Sequence, residues 1–253
     1  MSIASDPLCK ETGLTPISER HSEDIFIIGY PKSGNTWLQS LVAAVVYGVT
    51  ARHAPDELVQ ELIPDVYLRK YYRRYATPTY FRSHSLPMPD LKKLVYVIRD
   101  GRDVMVSYRH FLDALDIAPV GFLEMVRDGA NLFPCKWHEH VEAWIRNPFG
   151  AEILIVRYED LHRNPMAEMR RFCEFAGIER RVADLEEMIQ ASSFKVMRRR
   201  EEKIGWANKS WPADAFFLRR GKVGSYCDEM PADVLAVFLA EAAPTLRRCG
   251  YEV

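Results

Sequence analysis

The stretch Asp24-Ile25-Phe26-Ile27-Ile28-Gly29-Tyr30-Pro31-Lys32-Ser33-Gly34-Asn35-Thr36-Trp37 decides how the rest of the chain is read. Its first half is an apolar run ending in glycine, the pattern of a strand buried on both faces of a parallel sheet. Its second half opens a helix. From Asn35 to Tyr47, Trp37, Leu38, Leu41, Val42, Val45 and Val46 recur at helical spacing and form one core-facing stripe. Between the two, Gly29 and Gly34 have the spacing of a triphosphate-binding loop, but Asn35 fills the usual lysine position and the lysine sits inside the loop as Lys32. A glycine-rich turn into a helix presents free backbone N–H groups and the positive end of the helix dipole, so residues 32–36 form an anion site. Ser33, Asn35 and Thr36 add side-chain donors. Lys32 is set to meet charge that builds on an oxygen bridging two anionic groups.

The pattern repeats outward. Leu94–Ile98 reads as a second buried strand, leading through Arg99-Asp100-Gly101 into a helix from Asp103 to Leu115. Glu152–Tyr158 reads as a third, followed by a helix from Pro165 to Ala176. Tyr80–His84 is short and β-prone, and would deliver His84 to the same sheet edge. Strands alternating with helices predict an α/β fold, one domain with a central parallel sheet flanked by helices and its ligand at the carboxyl ends of the strands. Residues 1–23 read as a loose N-terminal arm, residues 198–226 as a long lid without periodicity, and residues 231–247 as a closing helix.

Composition excludes several classes. The 253-residue chain is 48% hydrophobic and can bury a substantial core. Its 34 basic and 35 acidic residues leave a net charge of -1, so no global field draws it to nucleic acid or an anionic membrane. Five scattered cysteines, Cys9, Cys135, Cys173, Cys227 and Cys249, form no CxxC pair and argue for a reduced compartment without a metal or disulfide framework. No basic leader precedes an apolar run, and the longest apolar stretch is too short to span a bilayer. A cytoplasmic protein is expected.

YPKSGNTW, residues 30–37, resembles the 5′-phosphosulfate loop of the cytosolic-type sulfotransferases, usually YPKSGTTW, and the likeness runs from about Asp24 to Tyr226. It implies 3′-phosphoadenosine 5′-phosphosulfate as sulfuryl donor, adenosine 3′,5′-bisphosphate as product, and no metal. Arg82-Ser83-His84-Ser85-Leu86-Pro87 is similar to the family's KTHLP segment, which makes His84 the matching base. The segment from Tyr96 to Tyr108 resembles the family's strand-to-helix element for the 3′-phosphate, so Arg99 and Ser107 inherit those contacts; Ser107 is assigned on that resemblance alone and counted with Lys32 and His84 at the reacting centre. Tyr158 in YEDL and Trp37 match residues around the adenine. Ser192 and Phe194, in a segment resembling TSFK, fall beside the nucleotide. Residues 217–224 resemble the FxRKGxxGDW signature and bring Arg219, Arg220 and Gly221 to the 3′-phosphate. Ser225-Tyr226 replaces the family's Asp-Trp, and the KxxxTVxxxE dimer segment has no counterpart, so an oligomeric state is not transferred.

The remaining histidines, His21, His53, His110, His138, His140 and His162, are assigned surface or packing roles. Trp37 is explained equally well as core or as an adenine platform. The charged run from Met197 to Lys203 reads as a solvated helix face, and the basic-aromatic run from Tyr67 to Tyr75 as an amphipathic helix or acceptor-side surface. Trp206, Trp211, Phe216 and Phe217 are candidates for an acceptor pocket. The acceptor itself is expected to be a small molecule with a hydroxyl or amine, a phenol or alcohol with an apolar body. Two rival readings are a P-loop kinase or triphosphatase using Asp100 as a magnesium ligand, and a non-catalytic nucleotide-binding module.

Overall fold

The computed structural model describes residues 12–117, 120–208 and 210–253. Four strands, β1 (Ile25–Gly29), β2 (Tyr80–Ser83), β3 (Lys93–Ile98) and β4 (Glu152–Arg157), form one parallel sheet in the order β2-β1-β3-β4. Ile25 lies opposite both Tyr80 and Lys93, and Gly29 opposite Val97. The chain leaves β1 for β2 on one side, then crosses back to β3 and β4 on the other. That reversal opens a crevice beyond the carboxyl end of β1, where ligands of such sheets bind.

Alternation along the strands builds two cores. Phe26, Ile28, Phe81, Leu94, Tyr96 and Ile98 face one cluster, shared with helices α3 (Gly101–Ala114), α5 (Trp137–Arg146) and α11 (Ala232–Arg248). Ile25, Ile27, Tyr80, Val95, Val97 and Val156 face the other, against α1 (Asn35–Tyr47), α7 (Pro165–Ala176) and α8 (Val182–Ala191). Leu38, Leu41, Val42 and Val45 of α1 are fully buried. Each such side chain contributes roughly 1.5–3 kcal/mol of transfer free energy, enough to fix the loop at the amino end of α1 to the sheet.

The helix begins after Gly34 at φ 99° and ends at Gly48, whose N–H donates to the carbonyls of Ala43 and Ala44. Gly29 answers to a different constraint. A Cβ there would lie 2.6 Å from the Val97 carbonyl oxygen and 2.6 Å from Asn35 Oδ1. Only glycine lets β3 and the folded-back loop approach this closely.

Several sequence expectations are corrected. Residues 1–11 of the expected arm, with Cys9, lie outside the described residues, but the rest of it is docked: Thr15–Pro16 pairs antiparallel with Tyr71–Tyr72. Asp24 holds the same region through a two-pronged pair with Arg74 at 2.7 and 2.8 Å. The run from Tyr67 to Tyr75 therefore contains a short strand and no helix. The expected lid from 198 to 226 opens inside a helix, α9 (Phe194–Ile204), and closes with the single turn α10 (Tyr226–Glu229). Charges in α9 mask its apolar anchor, Met197. Short helices α2 (Asp56–Leu62), α4 (Phe122–Asp128) and α6 (Tyr158–Arg163) each lack the two full turns that make periodicity legible.

Candidate active site

Every strand of the sheet sends a functional segment to the same end. The β1–α1 loop brings Lys32, β2 ends beside His84, β3 ends beside Arg99, and β4 runs directly into Tyr158. These residues border one cavity of about 730 Å³, which is also lined by residues 206–208, 217–222 and Ser225.

The loop is held in a strained shape. Lys32 has φ 69°, an arrangement costing a non-glycine residue roughly 1–2 kcal/mol. Its carbonyl accepts from Arg99 Nη1 at 3.3 Å. Asn35 donates from Nδ2 to the Tyr30 carbonyl at 2.9 Å, so its amide group closes the loop, while its buried Oδ1 has no partner among the described residues. The first α-helical bond runs from the Leu38 N–H to the Gly34 carbonyl, which leaves the amides of residues 34–37, all of which line the cavity, outside the helical ladder. A Cβ on Gly34 would reach 2.5 Å from the Tyr158 ring; glycine here brings the tyrosine directly over the loop.

The Lys32 ammonium lies 4.5 Å from the centre of the Phe111 ring and 4.3 Å from that of Phe217. Burial, then the charges of Arg82, Arg99 and Arg219, bring its pKa down to about 7. Each of those arginines also has a carboxylate beside it: Asp65 lies 3.5 Å from Arg82, Asp103 3.4 Å from Arg99 and Glu229 2.5 Å from Arg219.

His84 is oriented with a defined tautomer. Its Nδ1 is 2.6 Å from the Gly29 carbonyl, which can only accept, so Nδ1 carries the proton and Nε2 the lone pair. Arg82 Nη2 donates to that Nε2 at 3.2 Å. Burial, reinforced by the Arg82 charge, pushes the imidazole pKa down to about 3 and keeps the ring neutral. The backbone beneath it is fixed from behind: His140 Nε2 donates to the His84 carbonyl at 3.2 Å, Tyr96 supplies the hydroxyl proton to His140 Nδ1 at 2.9 Å, and Trp144 donates to the Ser85 carbonyl at 3.0 Å. His140, left above between surface and packing roles, is fully buried and positions the His84 backbone.

Arg99 donates to the Lys222 carbonyl at 3.0 Å and lies 4.4 Å from the Tyr158 ring, while its buried Nε has no partner among the described residues. Ser225 Oγ, buried on the same cavity, is likewise unpartnered. Two carboxylates secure the lid. Asp103 accepts from the Gly224 and Tyr226 amides at 2.8 and 2.9 Å, and Glu201 from the Phe217 and Leu218 amides at 2.5 and 3.0 Å. Between those anchors, Arg219, Arg220 and Gly221 reach the cavity. Gly221 has φ 58°, and a Cβ would meet the Phe194 ring at 2.5 Å.

Of the residues expected from sequence, Lys32, Gly34, Asn35, Thr36, Trp37, His84, Arg99, Ser107, Tyr158, Phe194, Arg219, Arg220 and Gly221 border this cavity. Ser33 and Ser192 do not. Ser33 is buried beneath the loop, its hydroxyl unpartnered, and Ser192 is fully buried: its hydroxyl accepts from the Ala51 amide at 3.2 Å and its carbonyl from the Trp37 indole at 3.2 Å. Ser192 thus orients Trp37 from behind. Trp37 combines both readings offered for it, buried in the core yet bordering the cavity edge-on to Tyr158. Trp206 and Phe217 line the cavity in a 4.3 Å stack, whereas Trp211 stacks on Phe111 and Phe216 packs against the Arg198 guanidinium. Leu68 and Arg69 of the basic-aromatic run line the cavity.

The sequence reading missed Arg82, Glu201 and Asp103. Arg82 was discoverable, because residues two apart on a strand share a face and place its charge beside His84. Asp100 has no spare oxygen for magnesium: it caps α3 at the Arg102 amide and binds the Arg102 side chain through both oxygens, which removes the metal ligand of the kinase alternative.

A family model described as "Sulfotransferase domain" matches residues 22–250. The chain belongs to the sulfotransferase domain family. Among its relatives, this sulfotransferase is 28% identical over 222 residues to sulfotransferase 2A1 of Rattus norvegicus, covering 81% of this chain and 78% of the relative. It is also 28% identical to cytosolic sulfotransferase 1 of Danio rerio over 236 residues, covering 81% and 76%. In fold it is similar to a retinol dehydratase solved with androsterone and the inactive cofactor PAP, with a TM-score of 0.67 and 20% identity over 90% of this chain and 82% of that one. None of the helices among the described residues is long and apolar enough to cross a membrane.

Proposed function

We propose that this sulfotransferase transfers a sulfuryl group from 3′-phosphoadenosine 5′-phosphosulfate to the hydroxyl of a small acceptor in the cytoplasm, by in-line displacement with His84 as base. The observation that carries the reading is the pairing, across one cavity, of the Lys32 loop with a histidine whose Nε2 lone pair is fixed by the Gly29 carbonyl. The unpartnered Arg99 Nε and Ser225 Oγ, and the glycine that seats Tyr158 on the loop, fit a bound phosphorylated nucleoside. When bound, the donor supplies an activated sulfur with phosphate as leaving group.

Trp37, Tyr158 and Phe194 hold the adenine, while Arg99, Ser107, Arg219, Arg220 and the Gly221 amide hold the 3′-phosphate. Lys32 and the amides of residues 34–36 face the 5′-phosphosulfate. His84 Nε2 takes the proton of the acceptor hydroxyl, whose oxygen forms the new S–O bond as the bond from sulfur to the bridging oxygen breaks. The electron pair of that bond leaves on the 5′-phosphate, where Lys32 neutralises it, and adenosine 3′,5′-bisphosphate departs. Arg82, whose Nη2 donates to Nε2, gives up that bond for the acceptor hydroxyl to take its place. Preorganised charge and alignment supply most of the acceleration. The rings of Trp206 and Phe217 favour a phenol or alcohol with an apolar body.

Donor consumption over a mixed acceptor library, with mass detection of the sulfonated product, tests the activity. His84→Ala is expected to lower turnover by roughly 10²–10⁴-fold while leaving bisphosphate affinity within about twofold of the parent. Near-normal turnover in that variant would refute the assignment of the base.

A further inference from the structure

Arg219 and Arg220 already hold an anion. Each donates from Nη1 to the carboxylate of Glu229, Arg219 to Oε2 at 2.5 Å and Arg220 to Oε1 at 2.8 Å, and His110 Nε2 lies 2.9 Å from Oε2. Partial burial opposes the charge on Glu229, but the bonds from Arg219, His110 and Arg220 outweigh it and bring its pKa down to about 2. Glu229 closes the single-turn helix α10, so it ends the segment whose amides Asp103 grips. The neighbouring donors behave differently: Arg99 Nε and Ser225 Oγ are buried without partners.

The geometry points to Glu229 as a place-holding carboxylate on the 3′-phosphate subsite. Donor and product bind there by exchanging it off Arg219 and Arg220. A phosphate dianion brought to these two arginines beside a resident carboxylate would meet like charge at contact distance, so the carboxylate must withdraw. His110, on the outer part of α3 and itself partly exposed, keeps hold of it once the arginines turn to phosphate. Until then Glu229 prevents mutual repulsion of the lid cations, and afterwards it competes for them and promotes product departure. The inference rests on the reading of Arg219 and Arg220 given under the proposed function.

Calorimetric titration with adenosine 3′,5′-bisphosphate and with adenosine 5′-monophosphate, which lacks the discriminating group, tests it. Glu229→Gln is expected to bind the bisphosphate about tenfold more tightly, as when a competent fraction near ~0.1 is raised to unity, with the monophosphate unchanged. Glu229→Asp, whose carboxylate is one methylene shorter, should fall between Gln and the parent, and melting curves establish that both variants fold. Weaker or unchanged bisphosphate binding in the Gln variant, or equal tightening for both nucleotides, overturns the inference while leaving the donor reading intact. Failure of the parent and both variants to bind bisphosphate overturns the donor reading and this inference together.

Discussion

Glu201→Gln probes whether the lid is built by a buried carboxylate. Glu201 is only 5% exposed and accepts two backbone N–H groups, from Phe217 and Leu218, immediately before Arg219. Hydrogen bonds to a charged group each contribute about 1.5–3 kcal/mol. Glutamine keeps one acceptor oxygen but turns an NH₂ group toward the second amide, so one bond is lost and two donors oppose each other. The expected penalty is about 2–4 kcal/mol, confined to the lid because α9 remains packed through Met197. If the lid must order before the arginines engage, that penalty appears as bisphosphate binding roughly 30- to 1,000-fold weaker. Adenosine 5′-monophosphate, which makes no use of Arg219 or Arg220 through a 3′-phosphate, should lose much less. Calorimetry with the two nucleotides measures the difference directly. Bisphosphate affinity within twofold of the parent, in a variant that melts normally, would refute the claim that Glu201 organises the phosphate-binding end of the lid.

Two other predictions concern the loop. Because Lys32 titrates near 7 in the ligand-free protein, the ammonium required at the bridging oxygen is lost as pH rises; kcat/KM for the donor should fall above about pH 7, and Lys32→Arg should remove that alkaline limb, whereas a limb that persists in the arginine variant would assign it elsewhere. Gly34→Ala combines φ 99° with a Cβ 2.5 Å from the Tyr158 ring, so a destabilisation of roughly 2 kcal/mol and a drop of about 4–8 °C in Tm are expected, together with weakened nucleotide binding; an unshifted melting curve would show that the loop can adopt another path.

The chain's local chemistry determined the architecture. An apolar run flanked by a glycine turn and a helical stripe has few ways to bury itself, and three such units in series require a parallel sheet with its ligand at the carboxyl edge. Lys32, His84, Arg99 and the lid arginines were legible because each adjoins a strand end or lies in a quoted motif. What the tertiary structure alone decided is how those groups are held. The tautomer of His84 depends on a carbonyl 55 residues earlier in the chain, and its backbone rests on His140, 56 residues later. Asn35 and Ser192 carry polar side chains suited to a ligand, yet Asn35 Nδ2 turns to the Tyr30 carbonyl and Ser192 Oγ to the Ala51 amide. Glu201 sits in a compensated charged run that reads as solvated surface and Glu229 lies outside every motif, and only the folded lid turns one into its anchor and sets the other upon its arginines. Hydrogen bonding between residues distant in sequence leaves no local periodicity, so these roles first appear when the chain has folded.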